Sequence, residues 1–519
     1  MIRSFLTVST GTMASRLLGF VRDAAIASLL GAGPVADAFL AAFQLVNVAR
    51  RLLTEGGLNA ALVPAWLRVR DTGGAVAAAA FVGRVLGTIT ASLIAATALL
   101  ALAMPLVITV LAPGFRGGET LQLAVDDARL MLPYLAFAGP VTVLMALLNA
   151  QGRFALTAFS PLLFNIALIS VMAVLLLRRQ DAVDAALIIS ATVGIAGLLQ
   201  LSMLVLHRDG SIATPLRISF DAEIRGFLAK ALPGMIASSG PQLLMLAGVI
   251  IASASPSSVS WLYFANRLIE LPLGLVGVAM GTVLIPTMTR ALRDGDRAAV
   301  THAESRGLEL AVGLALPATL GLMVLSEPTV RLLFERGAFT AADTAATAQA
   351  LTWLALALPA HVLVKALSPA FFAREDTLTP LLATLKAIAF AIVLAVVLGH
   401  IYGTGGIAVA IALGAWSNAF TLIRRGGETF GFSIDAEARR RLPRMAAAAL
   451  AMGALLWLKA RFVLPLAADA HGLAQAVLLA LLIAGGIAIY GLFLWLFGVT
   501  GWRETVNAVR RNKPADLRD

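Results

Sequence analysis

The stretch that decides the reading of this chain is Ser15–Pro64, SRLLGFVRDAAIASLLGAGPVADAFLAAFQLVNVARRLLTEGGLNAALVP. Its apolar residues fall into two long runs on either side of Gly31–Pro34, the pattern of two hydrophobic helices with a hinge between them. The same stretch carries Arg16, Arg22, Asp23, Asp37, Arg50, Arg51 and Glu55. Insertion scales place an Arg or Asp at the bilayer centre at roughly +2.5 to +3.5 kcal/mol each. At that cost, either the charges pair with one another or they face a wet cavity that holds something charged.

The whole chain supports the membrane setting. Of its 519 residues 59% are hydrophobic and 13% charged, against roughly 25% charged in soluble proteins. Apolar runs recur from end to end, so the fold class is an all-α polytopic membrane protein. The absence of cysteine excludes disulfides, thiolate metal sites and a cysteine nucleophile. The net charge of +11 is nearly all arginine. Basic loops on the cytoplasmic side of a membrane protein account for it without nucleic acid. Arg16 and Arg22 interrupt the first apolar run, which therefore reads as the first span and not as a cleaved signal.

Apolar segments bounded by Gly, Pro or charge number fourteen, at about 5–30, 36–66, 77–111, 123–150, 156–177, 184–206, 226–253, 258–289, 305–330, 344–372, 378–399, 404–423, 445–463 and 474–499. With the N-terminus in the cytoplasm, 23 of the forty basic residues fall inside and seven outside, the rest lying within spans. That asymmetry predicts an even number of crossings with both termini cytoplasmic. An internal repeat supports the count. Pro140–Pro161 and Pro359–Pro380 have the same length and each is followed by Leu-Leu, while LNAALVP ending at Pro64 is echoed by MGTVLIP ending at Pro286. The expected plan is two six-helix lobes, 1–215 and 216–425, related by a pseudo-two-fold axis along the membrane normal. Residues 426–519 add a basic linker, two further helices and a cytoplasmic tail.

No catalytic signature is present. The chain lacks a Gly-Lys pair and hence a P-loop, and its five histidines show no metal-binding spacing. His361 lies deep in a span and reads as a packed side chain. An enzyme is not expected, and neither is a bound metal or cofactor.

The signal lies in the intramembrane charges. Arg16 and Asp23 share a helical face, with Arg22 well round from Arg16. Arg51 and Glu55 are spaced i, i+4, and Arg267 and Glu270 are spaced i, i+3, both suited to internal ion pairs. For those pairs a purely structural role is about as well supported as a functional one. Arg16, Arg22, Arg50 and Arg267 outnumber the acids near them, so excess cation is expected at mid-membrane. A phosphate-type oxyanion suits the arginine fork, and a carboxylate fits the same chemistry. Gly11, Ser15 and Gly19, four residues apart, mark a face that another helix can approach closely.

These residues carry a resemblance. SRLLGFVRD, then DAF, then N-x-x-R-R-x-x-x-E-G and V-P, resemble the N-terminal signature of the MurJ (MviN) lipid II flippases of the multidrug/oligosaccharidyl-lipid/polysaccharide exporter superfamily. WLYFANRLIELPLGLVGVAMGTVLIP, Trp261–Pro286, is similar to that family's eighth-helix motif. The resemblance spans essentially the whole chain. Val46 and Leu62 depart from it where the family usually has Pro and Phe.

The resemblance implies two lobes around a cavity that opens alternately to either side of the bacterial inner membrane. Its substrate would be lipid II, the undecaprenyl-pyrophosphate-linked disaccharide-pentapeptide of peptidoglycan biosynthesis. Arg16, Arg22 and Arg267 would hold the pyrophosphate, with Arg50, Asp37 and Glu55 as further functional positions. Asp23, Arg51 and Glu270 would serve as ion-pair partners. The two extra helices would form a groove for the lipid tail, amid membrane lipids and the cell-wall synthesis machinery. Flipping would draw on the membrane potential or on a monovalent cation. Some relatives hold such a cation with acids in the seventh and eleventh spans, but residues 231–255 contain no acid and the eleventh span offers Lys386. The rival readings are a flippase for another pyrophosphate-linked oligosaccharide, a multidrug exporter, and a scaffold of the cell-wall machinery. Unpaired cavity acids would mark a cation exporter, and a scaffold has no use for excess cation at mid-membrane.

Overall fold

The computed structural model describes residues 2–54, 57–151, 153–206, 216–229, 240–279, 296–372, 374, 376–466 and 472–499. Glu55, the Met280–Pro286 copy of the repeat and the chain after 499 lie outside the described residues. In chain order the helices are α1 (Ile2–Leu30), α2 (Pro34–Thr54), α3 (Gly57–Leu111), α4 (Glu119–Met131), α5 (Pro133–Ala150), α6 (Phe154–Arg178) and α7 (Ala182–Leu206). A helical stretch α8 (222–229) precedes α9 (Gly240–Ala252) and α10 (Ser258–Ala279). There follow α11 (Arg297–Val324), α12 (Ser326–Phe334), α13 (Ala341–Leu354), α14 (Ala357–Phe372), α15 (Leu378–Phe430), α16 (Ala436–Leu466) and α17 (Leu473–Leu496). No strand occurs among the described residues.

The hinge anticipated at Gly31–Pro34 separates α1 from α2, with Pro34 opening the second helix, where its missing N–H costs nothing. Other boundaries differ from the expected spans. Candidate spans 36–66 and 77–111 fall on α2 and on α3, which is two helices joined across a kink at Gly74 (φ 76°). Spans 378–399 and 404–423 are the two arms of α15, which meet at a kink at Gly403 (φ 57°), between the expected ends. A left-handed φ strains any residue with a Cβ, so glycine lets each long helix turn without a loop. Span 123–150 is two helices meeting at Leu132, where Pro133 interrupts the hydrogen-bond ladder. Span 344–372 is the pair α13 and α14, bent by 45°.

Eight helices among the described residues are long and apolar enough to cross a membrane, or nine with the bent pair taken as one span. The charged helices α1, α2 and α10 are not among the eight. Burial sorts the spans by surroundings: 72% of the most apolar window of Glu119–Ala150 is buried, against 11% for Leu62–Leu111 and 17% for Leu473–Leu496. Helix α5 is therefore an interior helix, and α3 and α17 present apolar sides to lipid.

The chain groups into two compact units. The first comprises Met1–Phe264, Leu333–Thr347 and Thr377–Gly414. In it α1 packs on α6, α2 on α4, α3 on α5, and α7 on both α5 and α6. The α1–α6 crossing is close because Gly11 has no side chain: a Cβ there would lie 2.8 Å from the Cβ of Ala158. A core of Leu62, Trp66, Phe81, Val85, Leu147 and Phe227 joins α3, α5 and α8. The extended segment before α8 is strapped to α3. Arg84 bonds Asp221 at 2.8 Å and Glu223 at 2.7 Å, and Thr88 Oγ1 donates to Ser219 O at 2.9 Å. Gly87 makes room for the strap, since a Cβ there would meet Arg217 O at 2.5 Å.

The second unit comprises Ala265–Leu332, Ala348–Asp376 and Ala415–Asp519. Here α11 packs on α14 and α16, and α16 on α17. Leu325, Leu456, Ala460, Leu479 and Leu482 form its apolar centre. Polar ties hold the helix ends: Arg306 pairs with Glu309 at 2.7 Å, and Arg441 bridges Glu309 and Glu437. His361 of α14 is buried, 7% exposed, as expected of a packed histidine.

Candidate functional site

The first unit holds its main intramembrane charge cluster around Arg22. Helix α1 carries Arg22 and Asp23, both buried. Adjacent residues point about 100° apart on a helix, yet the long Arg22 side chain folds back onto its neighbour. Its Nε and Nη2 donate to Asp23 Oδ1 at 2.9 and 2.7 Å. Its Nη1 donates to Asn165 Oδ1 of α6 at 3.2 Å. Tyr263 of α10 donates its hydroxyl to the same Asp23 oxygen at 3.3 Å. The rings of Phe43 and Phe164 lie 5.2 and 5.8 Å from the guanidinium carbon, within cation–π range. Three helices besides α1 thus supply acceptors, donors or rings around one cation. In a low-dielectric interior such pairing decides whether a charge is tolerated.

Asp23 thus supplies Arg22 with a buried counterion from its own helix. The alternative left open for Arg267, an internal ion pair, describes its geometry in the second unit. There Arg267 Nη1 donates to Glu270 Oε2 at 2.7 Å, with the two side chains 16% and 22% exposed. Arg16, Arg50 and Arg51 are partly buried, and each has at least one polar, ring or electrostatic contact. The partner expected for Arg51, Glu55, lies outside the described residues.

Asp37 stands apart from the arginines. In the first turn of α2, where an acid suits the helix dipole, it is 2% exposed. Its Oδ1 accepts the Ser260 backbone N–H at 2.9 Å and the Ser260 hydroxyl at 2.5 Å. Ser260 is in the first turn of α10, so Asp37 satisfies a donor that α10 cannot satisfy within itself. Neighbouring ties reinforce this end of the first unit. Ala338 N donates to Ser28 O at 2.9 Å, Ser257 Oγ to Ala32 O at 3.3 Å, and Trp261 Nε1 to Asp343 Oδ1 at 3.1 Å. Ser258 and Thr404 share a hydroxyl–hydroxyl bond of 2.6 Å. The end of α1, the links that follow α9 and α12, the starts of α2, α10 and α13, and Thr404 of α15 are thereby stitched together.

Sequence reasoning passed over Asn165 and Tyr263 as partners. A lone Asn in the apolar run 156–177 was the available signal, since a buried amide needs partners. Tyr263 lay within the quoted Trp261–Pro286 block without a role.

The sequence model of the family described as Lipid II flippase MurJ matches residues 26–468. The chain belongs to the MurJ family. A probable lipid II flippase MurJ of Rhizobium tropici is 34% identical over 100% of this chain and 98% of its own length. One from Rhizobium meliloti is 37% identical over 99% and 96%. Among solved structures, a lipid II flippase MurJ in an inward closed conformation aligns with a TM-score of 0.77 over 96% of this chain and 100% of that one, at 22% identity. An inward-facing multidrug transporter of the MATE family aligns with a TM-score of 0.63 over 86% and 99%, at 15% identity. At such identities the likeness speaks to the fold alone. MurJ membership and the apolar helices make this a multi-pass protein of the bacterial inner membrane, in a family of transporters and not of catalysts.

Proposed function

We propose that this chain flips lipid II from the cytoplasmic to the outer leaflet by alternating access. Membership of the MurJ family over most of the chain carries the reading. The buried Arg22 site gives it a physical basis: a guanidinium held in place deep in a span can meet a diphosphate with its planar fork. Asp23 holds that fork, and an incoming diphosphate competes for it. Arg16, Arg50 and Arg267 add positive charge for the headgroup, and Glu55 is a further functional position. Asp37, which caps the first turn of α10 through Ser260, is a further functional position. In chain order 1–215 and 216–425 form the two repeated lobes, with 426–519 supplying a tail groove; these are sequence segments, distinct from the contact-defined units. Both termini lie in the cytoplasm, and the membrane potential assists outward movement of a polyanionic headgroup, at about 2.3 kcal/mol per charge per 100 mV.

The test is complementation of a strain depleted of its own flippase. Arg16→Ala, Arg22→Ala and Arg267→Ala are each expected to insert normally and fail to restore growth. Full growth by all three would refute the arginine assignment. Mass spectrometry of lipid co-purified with the chain separates lipid II from another pyrophosphate-linked oligosaccharide, the second reading, since the anchor chemistry is the same.

A further inference from the structure

Asn165 is buried, 5% exposed, on α6. Its amide has two ends, and both are spent on α1. The oxygen accepts Arg22 Nη1 at 3.2 Å, while the nitrogen donates to the backbone carbonyl of Ser15 at 3.1 Å and lies 3.5 Å from Pro161 O. Ser15 precedes Arg16 and stands two helical turns before Arg22, so one side chain touches α1 at the level of both arginines. The contact depends on the close α1–α6 crossing at Gly11 and Ala158, which brings a short Asn side chain within reach of a helix carbonyl.

Donor counting shows what this does to Arg22. A guanidinium carries five N–H groups. Nε and one N–H of Nη2 go to Asp23, and one N–H of Nη1 goes to Asn165. One N–H on each terminal nitrogen is left among the described residues. Phe43 and Phe164 lie over the guanidinium, so an incoming oxyanion is steered to the edge. An arginine side chain has several rotatable bonds, and a bidentate grip requires that its plane be set beforehand.

We infer that Asn165 is a positioning residue for the diphosphate: it fixes the plane and height of the Arg22 fork against the α1 backbone without touching the ligand. This rests on the reading of Arg22 as a headgroup ligand. The test is a double-mutant cycle on the purified full chain in detergent, with farnesyl diphosphate as the probe and calorimetry as the readout. Asn165→Leu is expected to weaken binding about tenfold when Arg22 is present and to add no loss in an Arg22→Gln background, since coupled residues are non-additive. A purely structural role would lower affinity equally in both backgrounds, and that result, or unchanged binding by Asn165→Leu, overturns the inference. Should Asn165→Leu fail to fold, the isosteric Asn165→Asp serves. It keeps the acceptor but lays a second carboxylate on Arg22, and is expected to weaken the probe at least tenfold, again only when Arg22 is present. Loss equal in both backgrounds overturns the inference here too. Undiminished binding by Arg22→Gln itself would instead sink the Arg22 assignment on which the inference stands.

Discussion

At the scale of single residues, the charges of α1 behave as a matched set. Arg22 and Asp23 are tolerated in an apolar setting because each is the other's partner, and Tyr263 and Asn165 add hydrogen bonds to the pair. Breaking a buried pair leaves a desolvated charge with no counterion, at a typical cost of 3–5 kcal/mol. Asp23→Asn is accordingly expected to lower unfolding stability by about 3 kcal/mol, read from thermal melts in detergent. Tyr263→Phe, which removes one neutral donor, should cost only about 1 kcal/mol. If the two variants melt alike, the ion pair is not what holds this part of the first unit. The pairing was hidden in the sequence for a geometric reason. Spacing rules concern Cβ directions, and the reach of an arginine side chain lets it fold onto the residue beside it.

At the scale of elements, the strap before α8 is the clearest local device. Asp221 accepts the Ile224 backbone N–H at 2.9 Å, the Ser219 hydroxyl at 2.9 Å and the Arg84 guanidinium at 2.8 Å. The backbone N–H bond, then the Ser219 hydroxyl and the Arg84 charge, hold its carboxyl below the usual carboxylate range. A group with a lowered folded pKa stabilises the folded arrangement above its unfolded pKa and loses that contribution as pH falls through the folded value. Amide exchange across 216–229 should therefore quicken as pH drops below the ordinary carboxylate range, after correction for intrinsic rates. Asp221→Asn should remove that pH dependence; an unchanged profile would show that another group controls the strap. Gly87→Ala probes the same contact sterically. Its new methyl meets Arg217 O at 2.5 Å, and overpacking of this kind costs about 1–3 kcal/mol, visible as early proteolysis of the segment. Neither the strap nor its glycine could be placed from sequence, because an extended loop carries no periodicity to reveal which helix it crosses.

At the scale of the whole molecule, topology is open to direct test, because the chain has no cysteine of its own. Arg116→Cys should react with an impermeant maleimide on intact spheroplasts, and Arg440→Cys only after the membrane is permeabilised. The reverse pattern would invert the orientation argued from the basic loops. What the sequence alone determined was the membrane, the helical class and the division into spans, because hydrocarbon of fixed thickness leaves apolar runs of set length as the solution. It also located the charged helices α1, α2 and α10. Only the tertiary structure decided the partners. It joined Arg22 to Asp23, Asn165 and Tyr263, gave Asp37 to the first turn of α10, and placed kinks at Gly74 and Gly403. Hydropathy depends on one residue at a time and survives in a linear string. A hydrogen bond between residues 143 or 223 positions apart depends on where two helices cross, and that is set by the packing of the folded chain.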